Sequence, residues 1–77
     1  MKRQKLFDKV RTLYDEANAK YLYYTEEERK VSKEHNKKPD NLAIAIKLTY
    51  VSDMRTQWLG KMAAYVDVLE LINKEDD

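Results

Sequence analysis

The sequence predicts an all-α protein built as an antiparallel two-helix hairpin, and three observations carry that prediction. One glycine and one proline in 77 residues leave few places to turn, which argues against a multi-stranded sheet and for long helices. Two stretches of about 30 residues place apolar side chains at steps of three and four, the repeat of an amphipathic helix. Between them lies VSKEHNKKPDN, the only segment that combines polarity with a proline.

The first helix is expected over about residues 3–33. Its apolar row runs Leu6, Val10, Leu13, Ala17, Tyr21, Tyr24 and, after Glu28, Val31, with Phe7 and Tyr14 on the flank. The opposite face is charged, and Arg11 with Asp15, Glu16 with Lys20 and Glu26 with Lys30 stand at (i, i+4) spacing with opposite signs. Each such pair contributes about 0.2 to 0.5 kcal/mol to a solvated helix face. Tyr21, Leu22, Tyr23 and Tyr24 are consecutive, and at about 100° per residue they cannot share one core. Tyr21 and Tyr24 continue the row; Leu22 and Tyr23 fall on the charged face and are the candidate partner-binding residues.

A turn follows at roughly residues 34–40. The ring of Pro39 pushes the residue before it out of the helical region, and Asp40 or Asn41 can then cap a second helix by accepting a backbone N–H bond.

The second helix is expected over about 41–73. Ile44, Leu48, Val51, Arg55, Trp58, Met62, Tyr65, Leu69 and Ile72 alternate steps of four and three throughout, the seam of a long helix packed along one side. Leu59 and Val66 widen it on one edge and Met54 on the other. Gly60 lies away from this seam, either as a point of close backbone approach or as a tolerated surface glycine.

Helices of similar length joined by a short turn must lie antiparallel. The end charges fit that arrangement: Lys2, Arg3 and Lys5 open the first helix, and Glu75, Asp76 and Asp77 follow the second. Each set has the wrong sign for its own helix dipole, and in a hairpin the two sets meet.

One seam is little core for a chain this short, and with no cysteine and one histidine neither disulfides nor a structural metal can supplement it. Self-association is the remaining aid. The second helix carries a further row, Ala43, Ile46, Tyr50, Gln57, Ala64, Val68 and Leu71, interrupted by Asp53 and Lys61. A helix apolar on two sides is normally packed on two sides. The expectation is a homodimer of hairpins forming a four-helix bundle, with Ile46, Tyr50, Gln57, Ala64, Val68 and Leu71 as its interface and the second helix central.

Arg55 stands inside the main seam, where its stem can pack while the guanidinium reaches a carboxylate. Glu28 is the acidic residue of the first helix's row. With the hairpin turning near residue 37, however, Glu28 faces residues 46 to 48, one to two turns from Arg55, so a carboxylate of a second chain is an alternative partner. A polar seam position of this kind can set register and oligomer state.

Chemistry is harder to find. His35, the lone histidine, lies beside Lys37 and Lys38 in the polar turn and is expected to be solvated. No Glu-x-x-His pair offers a bundle metal site, and one glycine cannot build a phosphate loop. No catalytic group, cofactor or metal is expected. No run of about 18 apolar residues is available to span a membrane, and the N-terminus lacks an apolar signal core, so a single cytoplasmic domain over residues 1–77 is expected.

Lysine and arginine (15) nearly balance aspartate and glutamate (14), which removes any global attraction to nucleic acid. Locally, Arg29, Lys30, Lys33, Lys37 and Lys38 cluster near the turn and are candidate phosphate contacts for an alternative function as a nucleic-acid-binding accessory protein. The leading expectation is a non-enzymatic protein–protein interaction module, an adaptor, inhibitor or small regulatory subunit that acts as a helical dimer on an unidentified protein partner.

Trp58-Leu59-Gly60 resembles the W-x-G motif of a family of small secreted helical-hairpin proteins of similar length. In that family the motif lies at the turn, whereas here it falls inside the second helix. Leu69 also stands where that family's secretion signal places an acidic residue, four positions after a tyrosine. The resemblance assigns no family to this chain.

Overall fold

A computed structural model describes residues 2–74. It contains two α-helices, α1 (Lys2–Lys37) and α2 (Leu42–Lys74), packed antiparallel into a rod of 58 × 14 × 13 Å. At 1.5 Å per residue the 36 residues of α1 reach about 54 Å, so each helix runs nearly the whole rod.

α1 extends four residues past its expected end. The chain from Glu34 to Lys37 stays helical, and the Lys38 N–H still bonds to the Glu34 carbonyl at 3.0 Å. Pro39 constrains only Lys38, the residue before it, so nothing upstream is forced to unwind. The turn is Lys38 to Asn41, closed by the Asn41 N–H on the Lys38 carbonyl at 3.1 Å. Pro39 thus occupies the second position of a four-residue turn, where its fixed φ is suited. Of the two expected caps, Asp40 and Asn41, it is Asn41 that caps α2: its Oδ1 accepts the Ile44 N–H at 3.1 Å. Among the described residues no non-glycine has positive φ and no peptide is cis.

The seam of α2 is as the sequence predicts. Val51 and Ile72 are buried, and Ile44, Leu48, Arg55, Trp58, Met62, Tyr65 and Leu69 are half-buried. The edges differ, since Met54 is half-buried while Leu59 and Val66 are exposed.

The seam of α1 runs differently in its first half. Phe7 and Tyr14 are half-buried, whereas Leu6 is 51% and Leu13 37% exposed. The observed seam is Phe7, Val10, Tyr14, Ala17, Tyr21, Tyr24, Glu28, Val31 and His35, alternating three and four without a break. A row through Leu6 and Leu13 has the same spacing to Val10 and Ala17, so local pattern cannot separate the two. The larger rings go inward, and Leu6 and Leu13 remain on one edge.

The longer α1 also moves the register. The hairpin turns between residues 39 and 40, which brings Glu28 level with Val51 and Ser52 and not with residues 46 to 48. Counted outward from the turn, Val31 falls level with Leu48, Tyr21 with Trp58, Ala17 with Met62, Tyr14 with Tyr65 and Phe7 with Ile72. Ala17 is wholly buried, and at the level of Met62 its single methyl lets the facing helix approach.

Among the described residues five are buried: Val10, Ala17, Val31, Val51 and Ile72. Thr12, Thr25, Thr49 and Thr56 each bond back to the carbonyl four residues earlier, which pairs their hydroxyls on the helix surface. On the charged face Arg11 pairs with Asp15 at 3.3 Å as expected, but Glu26 turns to Arg29 and not to Lys30. Residues 75–77, and the expected meeting of end charges that depends on them, lie outside the described residues.

Candidate functional site

Three features stand out from the solvated rod: a polar group inside the seam, a ladder of tyrosines across it, and an open apolar row along α2.

The polar group joins the helices. Glu28 on α1 receives the Ser52 hydroxyl on one carboxylate oxygen, and Arg55 Nε stands 3.1 Å from the other. The Arg55 Nε–H makes no hydrogen bond of its own, so at this atom the contact is one of charge. The Ser52 hydroxyl, followed by the Arg55 charge, holds the Glu28 carboxyl below the ordinary glutamate range against the opposing effect of burial. Glu28 and Arg55 are about a quarter to a third exposed. Both charged partners are legible in the sequence, though out of register, whereas Ser52 is marked there only by its position next to Val51 on the seam edge. An open cleft lies beside this group, lined by Thr25, Arg29, Ser32, Lys33, Leu48 and Ser52 among others.

The tyrosine ladder answers where the crowded Tyr21–Tyr24 stretch goes. Tyr23 meets Tyr24 edge-on with centroids 5.0 Å apart, and Tyr24 meets Tyr50 of α2 edge-on at 6.5 Å, geometries that suit the ring quadrupoles. The Tyr50 hydroxyl holds the Tyr24 phenol above its ordinary range. Tyr23 therefore leans toward the α2 edge that carries Tyr50. Leu22, about 100° further round, points to the other edge. Both are exposed, Leu22 57% and Tyr23 56%, but they do not form one patch.

The open row consists of the residues expected as an interface. Ile46 is 61%, Tyr50 56%, Val68 39% and Leu71 60% exposed, and Ala43, Gln57 and Ala64 are exposed with them. Within the hairpin they are left largely open, with the Tyr24 ring edge-on against Tyr50.

The basic cluster is partly spent. Arg29 holds Glu26 through Nε at 3.0 Å and Nη2 at 2.5 Å, which lowers the Glu26 carboxyl and raises the Arg29 guanidinium. Lys30, Lys33, Lys37 and Lys38 are exposed. His35 departs from expectation. The added turn of α1 makes it a seam residue, half-buried, with Nδ1 enclosed and unpartnered. Among the described residues no group of three histidine, cysteine or acidic side chains could hold a metal ion, and no helix is long and apolar enough to cross a membrane.

Comparison with protein-family models, with curated proteins and with solved structures finds no match for this chain.

Proposed function

We propose that this chain is a non-enzymatic protein–protein interaction module of the cytoplasm, a helical hairpin that dimerises into a four-helix bundle and acts on another protein as an adaptor, inhibitor or small regulatory subunit. One observation carries the reading: large apolar side chains stand open on a rod in which five of the described residues are buried. Exposed apolar patches mark interaction sites on soluble proteins, and the row on α2, although interrupted by Asp53 and Lys61, gathers Ile46, Tyr50, Val68 and Leu71 on one face. Arg29 is engaged by Glu26, which weakens the basic cluster as a phosphate-binding surface and favours the protein-binding reading over the nucleic-acid one.

The test uses tagged protein expressed in the native host. Wild type is expected to capture a stoichiometric partner, and Leu22→Ser and Tyr23→Ser, which lie toward opposite edges of α1, are each expected to weaken that capture and together to lose it while circular dichroism and sedimentation stay unchanged. A double variant that captures the same protein to the same extent removes these residues from the site. Sedimentation equilibrium at tens of micromolar checks the dimer, and a monomer there would sink that part.

A further inference from the structure

We infer that the open row of α2 seats a second copy of this chain, laid antiparallel across it on a two-fold axis at Gln57. The inference deepens the dimer reading above and rests on it.

The row is symmetric about Gln57. Asp53 and Lys61 stand four residues to either side, Tyr50 and Ala64 seven, Ile46 and Val68 eleven, Ala43 and Leu71 fourteen. All nine side chains are exposed. At 100° per residue they fall within about 40° of the Gln57 direction, a straight stripe about 42 Å long. The stripe lies roughly a third of a turn from the seam that holds α1, so a copy seated on it leaves the hairpin intact.

A two-fold axis through Gln57 reverses the second copy and brings each residue level with its counterpart on the other side of the axis, as a self-complementary interface requires. Tyr50 meets Ala64, Ile46 meets Val68 and Ala43 meets Leu71, so two of the three apolar pairs set a large side chain against a methyl. The two charges that interrupt the row have opposite signs at equal distance from the axis. Asp53 of each copy is therefore level with Lys61 of the other, about 6 Å along the helix from the axis.

Among the described residues Asp53 has no ion-pair partner within the hairpin. Lys61 is held 4.2 Å over the Trp58 ring, along the edge of the stripe. At the centre Gln57 meets itself, and a primary amide, both donor and acceptor, can pair with its own copy. One polar position of this kind in an apolar seam favours a single register. A parallel pairing would instead set Asp53 on Asp53 and Lys61 on Lys61, and like charges facing one another penalise it.

Charge reversal and crosslinking test the geometry on the full chain. Asp53→Lys and Lys61→Asp are each expected to weaken the dimer about tenfold or more by sedimentation equilibrium, and the two together to restore it to within about threefold of wild type. The chain has no cysteine, so Gln57→Cys introduces a single thiol on the axis. Oxidised glutathione is expected to convert it to a disulfide-linked dimer much faster than Glu70→Cys, on the far side of α2. A wild-type dimer whose double reversal is no tighter than the singles, or whose Gln57→Cys crosslinks no faster than the control, overturns this interface and leaves the dimer standing. A wild-type monomer overturns both. Should a reversal unfold the hairpin, as circular dichroism would reveal, the crosslinking arm decides alone.

Discussion

Glu28 of α1 and Arg55 of α2 face one another across the seam at 3.1 Å, with the Ser52 hydroxyl on the second carboxylate oxygen. The contact ties the helices at a defined register, and its ionisation should be visible in stability. Glu28 titrates below its ordinary value of 4.5, so the carboxylate is favoured in the folded chain. Its contribution is present above that value and is lost as pH falls through the lower folded-state value. Denaturant titrations from neutral pH to about pH 3 should show stability falling more steeply in wild type than in Glu28→Gln. Parallel curves would count against the contact.

Removing one member of this pair should cost more than removing both. Arg55→Leu leaves a half-buried carboxylate held only by Ser52 and should destabilise by about 1 to 2 kcal/mol, discounted for the pair's partial exposure. Glu28→Leu combined with Arg55→Leu should recover that loss, because apolar replacements of a partly buried ion pair are often neutral or stabilising. A double-mutant cycle from urea unfolding measures the difference.

Asn41→Ala removes the side-chain acceptor for the Ile44 N–H and should cost about 1 kcal/mol. Asn41→Asp, which keeps an acceptor, should cost much less. Thermal melts of the two variants separate a lost cap from a general effect of mutating the turn.

Phe7 and Leu6 are adjacent and take opposite roles. Phe7→Ala should destabilise by about 2 kcal/mol, since Phe7 is half-buried in the seam. Leu6→Ala should cost less than about 1 kcal/mol, because half of Leu6 is already exposed. Equal losses would return the α1 seam to the Leu6 row.

A Cβ added at Gly60 would meet nothing within 4 Å, so within the hairpin it is a tolerated surface glycine and not a point of close approach. Gly60→Ala should stabilise the hairpin by up to about 1 kcal/mol through helix propensity, read as a rise in melting temperature.

The sequence by itself determined that two long helices form, that they lie antiparallel, that Asp40 or Asn41 can cap the second and that the α2 seam runs from Ile44 to Ile72. Those features depend on local spacing, on one proline and on one cap, all of which act within a few residues. Tertiary structure decided the rest. Leu6 beside Phe7 and Leu13 beside Tyr14 offer two rows of equal periodicity, and only the side chains facing them on α2 select between them. The end of α1 at Lys37 follows from backbone bonds that carry on to the residue just before Pro39, and it moves the facing register by about one helical turn. That shift, invisible to local pattern because every facing pair depends on where the chain reverses, brings Glu28 to Ser52 and Arg55 and turns His35 from a solvated turn residue into part of the seam.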